Sequence, residues 1–328
     1  MKTRLSVLFG TLGISILLAS CAQNPSSPDG PQNILPLSTS TPAANPALTY
    51  VGEVTIRRTT YPTIAVMNAD GSNQTNIYTS PTSGNFSLGV SPCWSPNGSS
   101  VAWIENNDTI KAIDVSVNTH GVPVGSNLRT IYATTAGSNN FVIHGLAWCS
   151  NSSTGEIAFV ASYSTGGGTG ASTVYTISQS GGTPTSVITE SQNLCYSVSW
   201  SPDDSKIAFS GHTASAPAAW YLRVADASSG SLLEADSLPQ VNNVEWERSG
   251  STISFDNAGV IYYLDYGSGN GEYTQSVAGT NPTWSPDDAN VMFVKSSNVI
   301  GEIAAFGSTV STVTTVSSLR NGAVKSKR

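Results

Sequence analysis

The sequence has few charged residues, and most of those it has are acidic. Only 11% of its 328 residues are Asp, Glu, Lys or Arg, and 14 basic side chains stand against 21 acidic ones, for a net charge of -7. Binding to nucleic-acid phosphates requires clustered Lys and Arg, so we expect no nucleic-acid partner. With 39% hydrophobic residues, the chain also differs in composition from disordered proteins and from long helical arrays.

Residues of the common catalytic and metal-binding motifs are scarce as well. There are three histidines, His120, His144 and His212, and there is no Gly-x-Ser-x-Gly elbow, His-Glu-x-x-His helix, Gly-x-x-x-x-Gly-Lys loop or Cys-x-x-Cys pair. We therefore predict no catalytic residue, no metal site and no cofactor. His144 and His212 could converge into a metal pair, but the favoured interpretation is that they are solvated loop residues.

The first 20 residues have the features of a signal peptide. Lys2 and Arg4 precede an apolar run, and Leu18-Ala19-Ser20 stands directly before Cys21. This segment resembles a bacterial lipoprotein signal, in which the cysteine at this place is lipidated and becomes the mature amino terminus. The alternative is an ordinary secretory peptide with a chance cysteine. The resemblance implies a lipid-anchored cell-envelope protein, and Ala22 matches the pattern of outer-membrane lipoproteins facing the periplasm.

The two ends of the mature chain have compositions of their own. Residues 21–48 contain six prolines among small polar residues, which predicts a disordered tether behind the lipidated cysteine. At the other end, the basic residues are predicted to form a solvated, frayed tail: Arg320, Lys325, Lys327 and Arg328. Residues 49–328 remain for the folded domain, which we expect to be monomeric.

The folded part is an internal repeat. Five segments begin with a tryptophan, turn through a Ser-Pro-Asp-Gly-like sequence in most copies, and return in an apolar strand. Each segment predicts a β-hairpin, because Pro presets φ and Asp, Asn or Gly caps the turn. On this interpretation Asp203, Asp204, Asp287 and Asp288 are turn residues and not a metal or acid pair. The repeat tryptophans are Trp94, Trp148, Trp200, Trp246 and Trp284.

The spacing of the tryptophans, 54, 52, 46 and 38 residues, is that of four-stranded propeller blades. The sequence therefore predicts an all-β, six-bladed β-propeller of four-stranded blades, with the tryptophans packed between neighbouring blades. The first blade lacks a Trp strand, so the segment near Leu319–Val324 is expected to complete it. The ring would then be closed by strand exchange between the chain ends. A third strand is predicted after each hairpin, at Thr173–Ile177, Trp220–Val224, Val260–Leu264 and Glu302–Phe306.

The Trp-Ser-Pro-Asp-Gly hairpins and the strand-turn from Ile64 to Asn73 resemble the repeats of TolB-type propellers. The similarity extends in pieces over residues 50 to 316. It implies a six-bladed ring that serves as a periplasmic binding platform.

Once Cys21 is assigned to the lipid, Cys93, Cys149 and Cys195 remain, an odd number for an oxidising compartment. Cys93 and Cys149 flank the tryptophans of neighbouring blades and share one side of their strands. A Cys93–Cys149 bridge is one hypothesis, and a Cys149–Cys195 bridge is the other.

A ligand is expected at the mouth of the channel, where the chain enters the innermost strands. The segments there are Phe86–Ser91, Asn140–His144, Asn193–Tyr196, Val241–Asn243 and Thr280–Asn281, and they are rich in Asn and aromatic residues. Such side chains suit hydrogen bonding and stacking with a peptide or a glycan. The candidate ligand-binding residues are Phe141, His144, Asn193, Tyr196, Asn243 and Asn281.

Two functions follow from this sequence. The first is a non-catalytic envelope lipoprotein whose propeller binds a protein or peptide partner. The alternative is a propeller that binds polysaccharide or acts on it as an enzyme. Two acids, or a His and a Tyr, within hydrogen-bond reach at the mouth would favour the enzyme.

Overall fold

The computed structural model describes residues 45–81, 92–134, 141–151, 153–164, 170–191, 193–213, 219–238, 240–267, 273–316 and 319–326. Within these ranges the chain forms strands only, arranged in six four-stranded antiparallel sheets. A helix able to cross a bilayer is absent from this part of the chain. The predicted all-β, six-bladed propeller is confirmed.

The strands have the following bounds in chain order: β1 Leu48–Ile56, β2 Thr59–Met67, β3 Thr75–Thr79, β4 Cys93–Trp94, β5 Ser100–Glu105, β6 Thr109–Val117, β7 Pro123–Ala133, β8 Phe141–Trp148, β9 Glu156–Ser164, β10 Gly170–Ser178, β11 Thr185–Ser191, β12 Asn193–Trp200, β13 Lys206–Thr213, β14 Trp220–Asp226, β15 Leu232–Ser237, β16 Asn242–Trp246, β17 Thr252–Asn257, β18 Val260–Asp265, β19 Tyr273–Ala278, β20 Thr280–Trp284, β21 Asn290–Ser296, β22 Val299–Ala304, β23 Val310–Thr315 and β24 Leu319–Ser326. Blade 1 has the order β24-β1-β2-β3, and blades 2 to 6 follow as β4–β7, β8–β11, β12–β15, β16–β19 and β20–β23.

The ring closes through the last strand of the chain. β24 pairs antiparallel with β1, with Leu48 opposite Ser326 and Tyr50 opposite Val324. It occupies in blade 1 the place that the Trp-led strand holds in the other blades, and it contacts β4 on one side and β20 on the other. The predicted strand exchange between the chain ends is therefore present, and it covers the edge of β1 that would otherwise have no partner.

The Trp-Ser-Pro hairpins share a hydrogen-bonding scheme that explains their sequence. In blade 4, Ser201 Oγ donates to Asp203 Oδ1 at 2.6 Å and accepts the backbone N–H of Lys206 at 2.9 Å. Asp203 also accepts the N–H of Ser205 at 3.2 Å. The same bonds recur around Ser95 and Asn97 and around Ser285 and Asp287. The turn is thus held by its own serine and by an Asp or Asn side chain, as Asx-type turns are.

The second acid of each Asp-Asp pair binds the neighbouring blade. Asp204 accepts the backbone N–H groups of Ser150 and Asn151 at 2.6 and 2.7 Å, and Asp288 accepts those of Arg248 and Ser249 at 3.2 and 3.1 Å. Asp204 and Asp288 have φ values of 57° and 56°, a left-handed conformation that Asp tolerates better than most residues. These carboxylates join blade 4 to blade 3 and blade 6 to blade 5.

The hydrophobic core lies between blades. Trp94 clusters with Ile64 and Val66 of blade 1, and Trp246 with Leu222 and Val224 of blade 4. All five repeat tryptophans are buried. Each indole buries a large apolar area between two sheets, so the repeat residue joins blades rather than filling one blade.

Three sequence predictions are corrected. The strand predicted at Glu302–Phe306 runs from Val299 to Ala304, because a tight turn pairs Ser296 with Val299 and starts the strand earlier. Phe306 lies in the following turn, with φ 59° and 61% exposure. Neither hypothesised disulfide is present, since Cys149 and Cys195 are buried thiols. Cys149 occupies the place of the repeat serine, where its Sγ accepts the N–H of Glu156 at 3.1 Å.

The third correction concerns Lys325, which was expected in a frayed tail. It lies in β24, and its ammonium forms an ion pair in the channel with Glu245 of blade 5. Glu245 is buried, and its other oxygen accepts a hydrogen bond from Thr283 Oγ1 at 3.2 Å. The last strand is therefore held by backbone pairing to blade 1 and by a charge pair to blade 5.

We predict that Lys325→Met lowers the free energy of unfolding by about 3–5 kcal/mol, because it leaves the carboxylate of Glu245 buried without its cation. Urea unfolding followed by tryptophan fluorescence measures the loss. The double variant Lys325→Met with Glu245→Gln should recover much of it, since the amide keeps an acceptor for Thr283. Equal losses in the single and double variants would show that the ion pair does not hold the ring.

Candidate functional site

The candidate site lies at the end of the channel where the innermost strands begin. In blades 3 to 6 each innermost strand carries an irregularity within the five residues before its tryptophan, where one extra residue is inserted against its partner strand. Bulges of this kind re-aim side chains and are common beside functional sites. The residues at the four irregularities include His144, Tyr196, Asn243 and Asn281.

Asparagine suits two of these bulges for a backbone reason. Asn243 has φ 50° and Asn281 has φ 54°, both in the left-handed region, which Asn enters more readily than most residues. The conformation therefore accounts in part for the residue type found there. The side chain of Asn243 is also used, because its Nδ2 donates to Asp256 Oδ2 at 2.7 Å.

Four rings from blades 3 and 4 form one aromatic cluster. The ring of Tyr196 lies between those of His144 and His212, with centroids 5.3 and 5.4 Å away. Trp220 lies 4.7 Å from His212 and 5.9 Å from Tyr196. These rings come from the start of β8, the start of β12, the end of β13 and the start of β14. The end of β13 lies beside the starts of β12 and β14 because β13 runs antiparallel to both. The strand β8 of blade 3 contacts β12 of blade 4.

His212 and Tyr196 are joined by a hydrogen bond of defined direction. His212 Nδ1 lies 2.7 Å from the carbonyl oxygen of Thr213, which can only accept. In the neutral ring Nε2 is therefore an acceptor, and the hydroxyl of Tyr196 donates to it at 2.8 Å. Burial raises the pKa of Tyr196, so the phenol keeps its proton in this bond.

His144 is largely buried, and its Nε2 lies 2.5 Å from Ser162 Oγ. Burial lowers its pKa to about 4, so the ring is neutral near pH 7. The expectation that His144 and His212 are solvated loop residues is wrong, because both lie in strands and are partly buried. They do converge, with Tyr196 between them, and the described residues contain no cluster of three or more potential metal ligands.

Blades 5 and 6 supply a polar wall. Asp256 of β17 is 3% exposed, and its Oδ2 accepts hydrogen bonds from Asn243 Nδ2 and from the backbone N–H of Asn281, the latter at 2.8 Å. Burial raises the pKa of Asp256, and the hydrogen bonds from these groups and from the side chain of Asn242 oppose that rise.

The aromatic cluster and the polar wall border one open cleft of about 670 Å³, a volume that suits a small ligand or a segment of a larger one. Its lining residues are His144, Tyr196, Ser197, His212, Trp220, Asn242, Asn243, Asp256, Thr280 and Asn281. The titratable residues of this lining are His144, Tyr196, His212 and Asp256. The cleft therefore combines ring faces with amide donors and acceptors and has one carboxyl group.

The structure brings together four of the six residues that the sequence proposed for a ligand. His144, Tyr196, Asn243 and Asn281 line the cleft, whereas Phe141 and Asn193 do not. Phe141 packs 6.5 and 6.4 Å from the rings of Tyr132 and Tyr175. The Nδ2 of Asn193 donates to Glu190 at 2.8 Å. The predicted mouth segment Phe86–Ser91 and residue Asn140 lie outside the described residues.

Sequence reasoning missed Trp220 and Asp256. Trp220 was assigned only to a strand, since it is not one of the repeat tryptophans. Asp256 could have been found by aligning the repeats, because ten residues after the tryptophan the other blades with the same spacing have Ile104, Ser210 and Val294. An acid at an interior position of a repeat is a departure of the kind that marks functional sites.

The comparisons with known proteins support the fold. No family profile matches the sequence, and no curated protein matches it. A TolB structure from Acinetobacter baumannii superposes with a TM-score of 0.58 and 15% identity, over 86% of this chain and 66% of that one. A putative TolB from Agrobacterium tumefaciens gives 0.52 and 15%, over 86% and 99%.

A structure of a nidogen/laminin complex gives a TM-score of 0.62 at 10% identity, over 87% of this chain and 99% of that one. The chain spans just under two thirds of the Acinetobacter protein and nearly all of the other two chains. The protein thus has the six-bladed propeller fold that TolB structures have, and at these identities the likeness concerns the fold alone.

The titration of His144 predicts a pH-dependent stability. Its pKa is about 4 when folded and about 6.5 when unfolded, so the unfolded chain binds the proton more tightly. The neutral ring's contribution is complete above pH 6.5 and is lost as the pH falls through 4, by about 3 kcal/mol in all. Urea unfolding of wild type and His144→Gln between pH 4 and 7.5 measures it. A variant with the same pH slope as wild type would contradict the prediction.

Proposed function

We propose that this protein is a non-catalytic cell-envelope lipoprotein whose propeller is a platform for a protein partner, and that a peptide segment of the partner enters the cleft. The observation that supports this is the lining of the cleft, where ring faces on blades 3 and 4 stand with asparagine amides on blades 5 and 6. Peptides offer side chains that pack on rings and backbone groups that bond to amides. The implied lipid at Cys21, the tether behind it and the outer-membrane location belong to the same proposal.

The hydrogen bonds of the cleft suit binding better than proton transfer. The Tyr196 hydroxyl and His212 satisfy each other, and His212 is fixed by the carbonyl of Thr213. Burial makes Tyr196 harder to ionise, and no Lys or Arg lines the described part of the cleft to oppose this. Lys325, in the adjoining channel, is paired with Glu245. A group poised for catalysis would instead have its pKa moved towards neutrality.

A second candidate function rests on one specific observation. A Tyr and a His at the mouth lie within hydrogen-bond reach, which is the arrangement that favours an enzyme acting on polysaccharide. Hydrolysis of glycosides uses two carboxylates, and Asp256 is the only one lining the described cleft. Elimination chemistry would use the Tyr–His pair as base and acid.

The hypothesis that the protein is an enzyme is tested by incubating the purified protein with a panel of polysaccharides and measuring the released sugars. We expect no product above that of a heat-treated control, because the pair is mutually bonded and lacks a cation. A product that forms with wild type and not with Tyr196→Phe would establish the enzyme and overturn the platform.

The platform is tested by photo-crosslinking in intact envelopes of the cells that make the protein. A photo-reactive residue replaces Thr280, which lines the cleft, and in a matched control it replaces Ser228, an exposed turn residue on the opposite face. We expect a discrete protein adduct from the first position and not from the second. Recovery of glycan without any protein at Thr280 would overturn the proposal.

The lipid part of the proposal is tested in the same cells. Cys21→Ser lacks the sulfur that would carry the acyl chains, so we expect it in the soluble envelope fraction, whereas wild type should sediment with membranes. The variant should retain the ring and its urea midpoint. Equal sedimentation of the two proteins would remove the lipoprotein assignment and leave the binding platform to be judged by the crosslinks.

A further inference from the structure

Asp256 is an anomaly in the repeat. It pairs with Asn242 in the ladder between β16 and β17, at a position that is interior in every Trp-led blade. The corresponding residues, counted from the pairing of each tryptophan, are Ile104, Val160, Ser210 and Val294, all buried and none charged. A carboxylate here costs desolvation energy that an aliphatic residue avoids, so the fold alone does not account for it.

The surroundings of Asp256 stabilise a carboxylate without neutralising it. The hydrogen bonds from Asn243 Nδ2 and from the backbone N–H of Asn281 both go to Oδ2. Both donors are uncharged, and none of the ion pairs among the described residues includes Asp256. Lys325, a cation in the adjoining channel, is paired with Glu245. A buried acid normally has a charged partner or a metal, and here the protein supplies neither within the described part.

The aromatic cluster borders the same cleft as Asp256. Ring faces attract cations through their quadrupole, with Trp the strongest and Tyr next. Trp220 and Tyr196 are both only partly buried, with ring centroids 5.9 Å apart. Rings and a carboxylate in one cleft are complementary to an ammonium group, which can place its charge near the acid and its apolar stem against the rings.

We propose that the cleft binds a primary ammonium group, the lysine side chain or the free amino terminus of a peptide, between Asp256 and the cluster of Trp220 and Tyr196. This inference rests on the proposed function and identifies which group of the partner enters the cleft. It also accounts for the asparagines, because Asn243 and Asn281 hold the Asp256 carboxylate in the cleft wall.

The experiment is calorimetric titration of the purified protein with four small probes. n-Butylammonium represents a lysine side chain, and alanine amide represents a peptide amino terminus. Their neutral counterparts are n-butanol and N-acetylalanine amide. We expect saturable binding of at least one ammonium probe, and binding of its neutral counterpart about tenfold weaker or less, because the counterpart cannot form the charge-assisted bond. The ammonium probe that binds identifies the source of the group.

Two variants locate the binding. Asp256→Asn is nearly isosteric, can still accept from Asn243 and Asn281, and should weaken the ammonium probe about tenfold or more. Trp220→Leu should weaken it about fivefold through the lost ring face. Asp226→Asn removes an acid on the opposite face of the ring and should change nothing. Thermal unfolding of each variant shows whether the fold is intact.

Three results would overturn the inference: no saturable binding of either ammonium probe, equal binding of an ammonium probe and its neutral counterpart, or unchanged binding in a folded Asp256→Asn variant. Saturable binding of a neutral oligosaccharide that Asp256→Asn leaves unaffected would assign the cleft to glycan instead. Failure of the probes together with a protein adduct from Thr280 would remove the ammonium site and leave the platform standing. A glycan-only crosslink would remove the platform itself.

Discussion

The structure depends on one pairing, between the first strand of the ring and the last. β1 has β2 on one side, and it gains a partner on the other side only when β24 arrives from the end of the chain. Without that pairing the innermost place in blade 1 is empty, and Lys325 cannot reach Glu245. The channel, its mouth and the cleft all lie among innermost strands that contact one another around the ring, so their positions follow from closure.

In each hairpin of the ring, the residues that hold the fold lie at one end of the strands and the residues of the candidate site lie at the other. At one end of blades 2, 4 and 6 the turn is fixed by its own serine and an Asp or Asn side chain, and in blade 3 the Cys149 thiol takes the place of the serine. At the other end the innermost strands of four blades bulge, and their residues differ from blade to blade. Because the blades share their turn-holding residues at one face, the residues at the opposite face can differ from blade to blade without loss of the fold. Superfolds commonly carry their functional sites on such variable positions.

The sequence predicted the fold well because its signals are local and repeated. A tryptophan, a Ser-Pro turn and an apolar strand are enough to predict each hairpin, and their period predicts a blade. The site was predicted only in part. All six candidate residues were placed at the mouth because the chain enters the innermost strands there. Four of them line the cleft, but Asn193 and Phe141 contact other neighbours. Spacing gives the level of a residue along a strand and not the direction of its side chain near a bulge.

The inter-blade carboxylates have a consequence for how the protein would respond to force and heat. Asp204 and Asp288 each tie a turn of one blade to the backbone of the blade before it, and the indoles bury their area between sheets, so little stability belongs to a single blade. A ring stabilised mainly by the interfaces between its blades should unfold cooperatively once one interface opens. It should therefore show a single unfolding transition, whereas a row of independent modules would show several. During synthesis, the sheet of blade 1 is complete only after the eight residues of β24 have been made.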